Sequence, residues 1–552
     1  QRLAPESPAY NVPDTLRISG VLDAAVLERA LAEIVRRHQV LRAVIVQTPA
    51  GPVQRVRPFD LHLPVHDLSH LPPEAREADA VRRVAADMAT PFALDEGPLF
   101  RLMLLRLASD DHLLHLTTHH TVFDGWSAAV FGRELAALYD AFARGEPSPL
   151  APLPVQYADY AAWQRGWMTD AAAEPQVAYW RGRLEGAPPL LELPTRRPRP
   201  AVQGYAGGMV GGALPPELLA GVRDLARREG ATPFMVLLAA LDVVLARWSG
   251  QSDVVVGTQV AGRTRGETEP LLGVFLNTLV IRADLGGDPT FRQVLARVRE
   301  AVVGAYAHQD VPFERVLEAL RIPRSLGHAP VFQVMVNYQN FGDDGGAPAG
   351  LRFQRTGGGD PVAKLDLTLY ATETAEGLGL ALVYAAELFD HAQMRELLEQ
   401  TGAVLARAAA QPTLSVAALS LRTPETEAVL PDPAALLDRT WRGSVPALFS
   451  RRAAERPDAL AAEDPGERWT YAELEAATAR LARRLAEGGV RPGDTVAVWA
   501  HRSAPMVRAL LGALRAGAAF VALDPAYPPA RLAEYVRIAA PRGFLRIAAA
   551  GA

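Results

Sequence analysis

The chain has 552 residues, enough for three or four folding units at about 100–200 residues each. Hydrophobic residues make up 49% and charged residues 22%, so a disordered scaffold is excluded: that apolar content offsets the chain entropy that keeps polar segments unfolded. The balance of 57 basic and 62 acidic residues offers no general footprint for nucleic acid, and the absence of cysteine removes disulfide scaffolds, thiol catalysis and cysteine-bound metal centres.

The first residue is Gln, with neither an initiator Met nor a charged-then-apolar leader, and the chain reads as a piece of something longer. No apolar run is long enough to span a membrane, and a cytoplasmic location is expected. Leu22 to Arg37 has a helical stripe of Leu27, Leu31, Ile34 and Val35. Leu99–Leu107 and His112–Thr118 read as strands around the turn Ala108-Ser109-Asp110-Asp111. A helix marked by Val130, Leu135, Leu138, Tyr139 and Phe142 follows, closed by Gly145. Proline-rich stretches at 147–154 and 188–200 read as surface crossings. A second half starts near Leu214, with helices over 216–229 and 233–248 and strands over 253–260 and 277–281. Alternating helices and strands in both halves predict two α/β lobes of similar size. Residues 414–438 lose periodicity and read as a linker; another α/β pattern runs from Ser444, and the last dozen residues have no readable pattern.

The sharpest local feature is His119-His120 at a strand end, followed by Asp124-Gly125. Strand alternation puts His120 on the face of Leu114, Leu116 and Thr118, with His119 on the other. Gly125 permits a tight turn and close backbone approach. The bland alternative is a core histidine with Asp124 as a helix N-cap. A metal site is not expected, because His112 and His120 share one strand face while His115 and His119 share the other. The basic charge is arginine throughout except for one lysine, Lys364.

Several segments together give the chain a family resemblance. His119-His120-Thr121-Val122-Phe123-Asp124-Gly125 is similar to the HHxxxDG signature of nonribosomal peptide synthetase condensation domains. Arg37–Arg42 resembles RHxxLR, Tyr157–Trp163 YxDYAxW, and Gly273–Arg282 GxFVNTxxxR with Leu276 for Val. His308–Glu314 resembles HQDxPFE, and Pro330–Asn337 resembles PLFQVMFN. The family's earliest motif, SxAQxRLWF, is missing; Ala43 stands where Thr is usual, and Arg324–His328 lacks an expected Asp. Further on, Trp469–Leu474 and Leu514–Pro528 resemble the first two motifs of an adenylation domain, without its later phosphate-gripping loop.

The resemblance implies an α/β fold of two chloramphenicol-acetyltransferase-like lobes in a V-shaped pseudodimer, with lobes over 1–175 and 176–422. It implies a linker over 423–440 and a partial adenylation subdomain over 441–552 that does not activate amino acids with ATP. The implied reaction is attack of a carrier-bound aminoacyl amine on a carrier-bound acyl or peptidyl thioester. Both substrates would ride on phosphopantetheine arms of donor and acceptor carrier proteins, beside neighbouring synthetase domains, and the chain itself would bind no cofactor, metal, nucleic acid or membrane. In this reading His120 carries the chemistry, as base or by orienting the amine, with His119 and Gly125 beside it. Trp126 and Ser127 would meet substrate. Asp124 would hold the loop through an ion pair, with Arg282 first and Arg42 second as partner. Arg37, Arg42 and Asn277 would support the site, Arg37 and Arg42 alternatively capping a helix, and Trp163 would be structural. The segment 254–277 would floor the tunnel, and residues near 350–372 would latch the lobes. Starter-type acylation with a fatty acyl donor, or a non-catalytic platform that recruits a partner, are the alternatives.

Overall fold

The computed structural model describes residues 6–49, 51–322, 325–339, 346–356, 362–374, 377–432, 434–436 and 440–547. The chain divides into two compact units, Gln1–Leu430 and Pro431–Ala552.

In the first unit, the strands Phe100–Ala108 and Asp111–His119 form a tight hairpin, with Ala108 opposite Asp111. They sit in a five-stranded sheet ordered Arg352–Thr356, Asn11–Ser19, Asp111–His119, Phe100–Ala108, Val65–Asp67. Alternation sorts their side chains as expected. Leu114, Leu116 and Leu104 join the core under the helices Ala24–Arg37 and Gly125–Ala143, while Leu113, Leu105 and Leu107 pack on the helix Pro73–Ala89. The helix expected over 22–37 starts at Ala24, because the Asp23 carboxylate accepts the Ala25 and Val26 amides as N-cap.

A second core is built on a six-stranded sheet ordered Gly207–Leu214, Gly377–Ala385, Leu367–Thr374, Val334–Gln339, Asp253–Val260, Asn277–Asp284. Its central helix, Pro233–Ser249, is apolar apart from Asp242 through its buried span from Phe234 to Leu245, and it ends at Gly250 in the left-handed region. The strand Arg352–Thr356 comes late in the chain yet pairs with Asn11–Ser19 in the first sheet, Ser19 opposite Arg352 and Thr15 opposite Thr356. That exchange ties one lobe to the other, in the region anticipated for the latch; residues 357–361 of that region lie outside the described residues, as does Arg324.

Three boundaries differ from expectation. Residue 176 falls inside the helix Asp170–Leu184, and Met168, Ala173 and Val177 already pack into the second core. The expected linker from 414 begins too early: Leu414 accepts the Phe291 amide, Val416 donates to Pro289, and Leu419 is fully buried. Aperiodic sequence there reflects irregular backbone pinned to a folded surface. The last dozen residues hold a strand, Gly543–Arg546, too short for its periodicity to be read.

The second unit contains a three-stranded parallel sheet ordered Ala519–Leu523, Thr495–Trp499, Gly543–Arg546. The Thr470–Glu473 motif is a capping box: Thr470 Oγ1 accepts the Glu473 amide, and the Glu473 carboxylate accepts the Thr470 amide at 2.8 Å. Among the described residues of the whole chain, no single helix is long and apolar enough to cross a membrane.

Asp242 is anomalous. It sits 1% exposed in the apolar core helix, its Oδ1 has no partner among the described residues, and burial pushes its carboxyl well above the usual range. The folded state keeps this proton while the unfolded chain releases it, so stability falls as pH rises above the ordinary carboxylate range. Replacing Asp242 with leucine should therefore stabilise the domain by about 1–3 kcal/mol at pH 7. Urea unfolding at pH 7 and pH 4 measures this, with the gain smaller at pH 4; equal midpoints for variant and parent at pH 7 would count against the unsatisfied carboxyl.

Candidate active site

The strand Asp111–His119 delivers the histidine pair to the edge of the first core. His119 donates its amide to Leu99 O at 2.9 Å, and His120 donates its amide to Tyr10 O at 2.9 Å, so both neighbouring strands hold the turn. The His119 ring is buried, edge-on to Phe92 at 6.1 Å and tilted against Tyr10 at 6.1 Å. Its Nδ1 accepts the Thr121 amide at 3.2 Å, and burial lowers its pKa to about 4. A buried neutral ring with such contacts shapes the turn and is a poor proton carrier near neutrality.

His120 differs. It keeps partial solvent exposure, and its Nδ1 lies 2.9 Å from Phe123 O. A carbonyl only accepts, so Nδ1 carries the proton and Nε2 holds the lone pair. Burial, and secondly the charge of Lys364, lower its pKa from the ordinary imidazole value, which favours the neutral ring.

Asp124 and Ser127 are fully buried, and both are consumed by structure. Asp124 Oδ1 accepts the Ser127 amide and hydroxyl, each at 2.8 Å, as the N-cap of Gly125–Ala143. Its Oδ2 accepts the Phe275 amide at 3.1 Å. Ser127 Oγ also accepts the Gly273 amide at 3.0 Å, so Ser127 does not meet substrate as expected. Gly273 has φ 152°, and a Cβ there would stand 2.3 Å from the Tyr157 ring, so only glycine lets the loop approach this closely. Gly125 opens the helix and is exposed. Trp126 is half-buried and donates from Nε1 to Glu269 O at 2.9 Å, a tie to the same loop.

The ion-pair partner of Asp124 is Arg263, with Nη2 3.3 Å from Oδ1 and both side chains at most 1% exposed. Arg263 also donates to Thr268 O and Leu271 O and lies 4.0 Å over the Phe275 ring. This corrects the expectation for Arg282 and Arg42. Arg282 pairs with Asp253 at 2.7 Å and donates to the Glu185 and Arg183 carbonyls. Five residues of extended strand at about 3.3 Å each carry it away from Asn277 and the loop. Arg42 donates to Val35 O and Arg36 O, closing the helix Ala24–Arg37, the capping alternative.

Residues 261–276 thus dock on the first core through several anchors. Arg37 pairs with Glu134 at 2.9 Å and donates to Ala151 O. His38 meets the same Glu134 through Nε2 at 2.8 Å and accepts the Leu272 amide at Nδ1, 3.3 Å away. Tyr157 donates its hydroxyl to Val274 O at 2.9 Å. Asn277 donates to Gln309 O and Val311 O, fastening the 308–314 segment. Trp163 is 37% exposed, stacked on Trp167 and covered by Arg265, so it is no core residue. With Tyr160, Phe275, Asn277 and Phe313 it lines a cavity of about 210 Å³ that neither His119 nor His120 reaches.

His112, His115, His119 and His120 form no common ligand cluster among the described residues. His115 is engaged by Thr15 and Thr117 in the sheet interior. Sequence reasoning missed Arg263 and Lys364. The signal for the first was a buried capping carboxylate needing a nearby cation, which the arginines at 263 and 265 could supply.

Two α/β lobes exchanging a strand, with a partly exposed imidazole at a strand end, place the chain in the pseudodimer class of folds. The condensation-domain family profile matches residues 1–430, and the AMP-binding enzyme profile matches residues 449–550. The chain belongs to the condensation-domain family of nonribosomal peptide synthetases and continues into part of an AMP-binding enzyme. It is 44% identical over 539 residues to a linear gramicidin synthase of Brevibacillus parabrevis, covering 96% of this chain and 10% of that protein. It is 40% identical over 543 residues to phosphinothricin tripeptide synthetase PhsC of Streptomyces viridochromogenes, covering 97% of this chain and 50% of that one. The chain therefore spans about a tenth and about half of these relatives. Among solved structures, the X-domain from teicoplanin biosynthesis matches with TM-score 0.69 and 32% identity, over 75% of this chain and 94% of that one. The four-domain synthetase AB3403, bound to AMP and glycine, matches with TM-score 0.73 and 25% identity, over 99% of this chain and 42% of that one.

Proposed function

We propose that this domain joins a carrier-bound aminoacyl amine to a carrier-bound acyl or peptidyl thioester, with His120 as the catalytic residue. The observation that carries the reading is the tautomer: Nδ1–H held by Phe123 O leaves Nε2 with its lone pair on a partly exposed ring. The amine nitrogen attacks the thioester carbonyl, Nε2 takes the ammonium proton as the C–N bond forms, and the thiol departs with a proton as the carbonyl is restored. An α-amine near its ordinary pKa of about 8 needs positioning more than activation, and two tethered reactants meeting at one point supply effective molarity. Donor and acceptor would arrive on phosphopantetheine arms of neighbouring carrier domains.

The rival platform reading draws on the similarity, at 31% identity, to the chain described as the complex of the X-domain and OxyB from teicoplanin biosynthesis. Intact-mass detection of product on an acceptor carrier separates the two. The full chain, offered a panel of aminoacyl, peptidyl and fatty acyl donor carriers, should add the donor mass to the acceptor at least 100-fold faster than acceptor alone (about 10²–10⁴ for positioned acid–base catalysis). A fatty acyl preference would select the starter variant, and no mass gain with any donor would leave the platform.

A further inference from the structure

Three sequence segments that the transfer chemistry leaves unused meet at the cavity of about 210 Å³. Tyr160 and Trp163 come from 157–163, Asn277 from 273–282, and Asp310 and Glu314 from 308–314. Trp167 completes the wall; it stacks on Trp163 at 5.6 Å, and the two indoles are 40% and 37% exposed. The volume is well beyond that of one water and below the roughly 300–1,000 Å³ of sites for drug-sized ligands, so it suits a single compact group. Among the described residues that line it there are two carboxylates, Asp310 and Glu314, and no arginine or lysine. Aromatic faces attract cations, and carboxylates accept forked N–H donors.

The chain itself shows which cation these rings accept. Arg265 lies 4.3 Å over the Trp163 ring. Arg263 lies 4.0 Å over Phe275, whose ring leans on Tyr160 at 4.6 Å. A guanidinium is planar and weakly hydrated and stacks on such faces, whereas an ammonium is a compact, strongly hydrated point charge. We propose that this cavity is a binding site for an alkylguanidinium, with the head against the Trp163–Trp167 pair and its N–H groups on the Glu314 and Asp310 carboxylates. The site is separate from the histidine pair and does not depend on the transfer reaction. It backs onto the loop that fastens the lobes: Gly262, Thr264 and Phe275 line it, while Arg263, between the first two, reaches Asp124. An occupant would therefore brace the 261–276 loop on the first core.

The test titrates the full chain with butylguanidinium by calorimetry at low salt, where saturable one-to-one binding with a Kd of about 1 mM or tighter is expected. Glu314→Gln should weaken binding about tenfold, and Trp167→Leu about threefold. Butylurea, neutral and of nearly the same shape, should bind the parent chain about tenfold more weakly or worse, an arm that needs no variant to fold. Hydrogen exchange should show added protection confined to 261–276 and 308–314. A glycine–arginine–glycine peptide blocked at both ends identifies the source: affinity equal to that of butylguanidinium assigns the site to an arginine side chain of a partner, and much weaker affinity assigns it to a free small molecule. The proposal is overturned by absence of saturable binding, by equal affinity for butylurea, by affinity unchanged in both variants, or by protection elsewhere in the chain. Binding that emerges only in Arg265→Gln would show that the chain's own guanidinium already fills the place, and overturns it as well.

Discussion

Replacing His120 with alanine is expected to slow amide formation by about 10²–10⁴-fold, the range that a positioned proton acceptor contributes. The ring is only partly buried and, among the described residues, its side chain meets Phe123 O alone, so its removal costs little packing. Thermal unfolding of the variant should therefore stay close to the parent while single-turnover transfer between two loaded carriers collapses. His119→Ala should behave in the opposite sense. That ring packs against Phe92 and Tyr10, and truncating it opens a cavity beneath the turn that presents His120. Full transfer activity in His120→Ala would remove the imidazole from the mechanism. Positioning of the two tethered substrates would then have to supply all the rate enhancement.

The second large effect concerns stability. Arg263→Met removes the cation from a pair whose members are at most 1% exposed, and leaves the Asp124 carboxylate buried and uncompensated. Loss of one partner of such a pair costs about 3–5 kcal/mol. The carboxylate keeps its hydrogen bonds from Ser127 and the Phe275 amide, which places the expected loss toward the lower end. Arg263 further holds the Thr268 and Leu271 carbonyls, so its loss should also free the 261–276 loop, seen as faster amide exchange there. Arg282→Ala should cost less, because its pair with Asp253 is partly exposed on both sides. Urea midpoints of Arg263→Met, Asp124→Asn and the double variant measure the coupling. If the two single losses simply add, the pair is not what fastens the loop.

Much of the site was legible because its information is local. The paired histidines, the capping Asp124 and the helix after Gly125 occupy neighbouring residues, and strand alternation assigns His119 its face, while His120 falls in the turn just past the strand end. The Thr470–Glu473 motif is likewise a complete physical object in four residues, a helix start with both donors satisfied. The helix over Pro233–Ser249 was equally plain, since a proline at its start and an apolar run interrupted only by Asp242 before Arg247 leave one reading. Elements failed to be legible where order comes from docking. The stretch 414–419 has no periodicity because its backbone is held by Pro289 and Phe291, far away in the chain.

Arg263 stands 139 residues from Asp124, and 56 arginines compete for the part, so charge alone could not select it. Selection came from where the 261–276 loop lands: Ser127, His38 and Tyr157 each capture one of its peptide groups, and the guanidinium arrives as a consequence. Ser127 shows the converse, a residue two positions past the signature, expected to meet substrate but turned fully inward in the first turn of its helix. The amino-acid order by itself pointed to the two-lobed class, the candidate imidazole and the partial second domain, because motifs of contiguous residues carry their own geometry. Tertiary structure decided which cation neutralises Asp124, which lobe supplies the strand Arg352–Thr356, and that the lone lysine stands over the Tyr10 ring. Those pairings join residues more than a hundred positions apart, where only the packing of two cores fixes who meets whom.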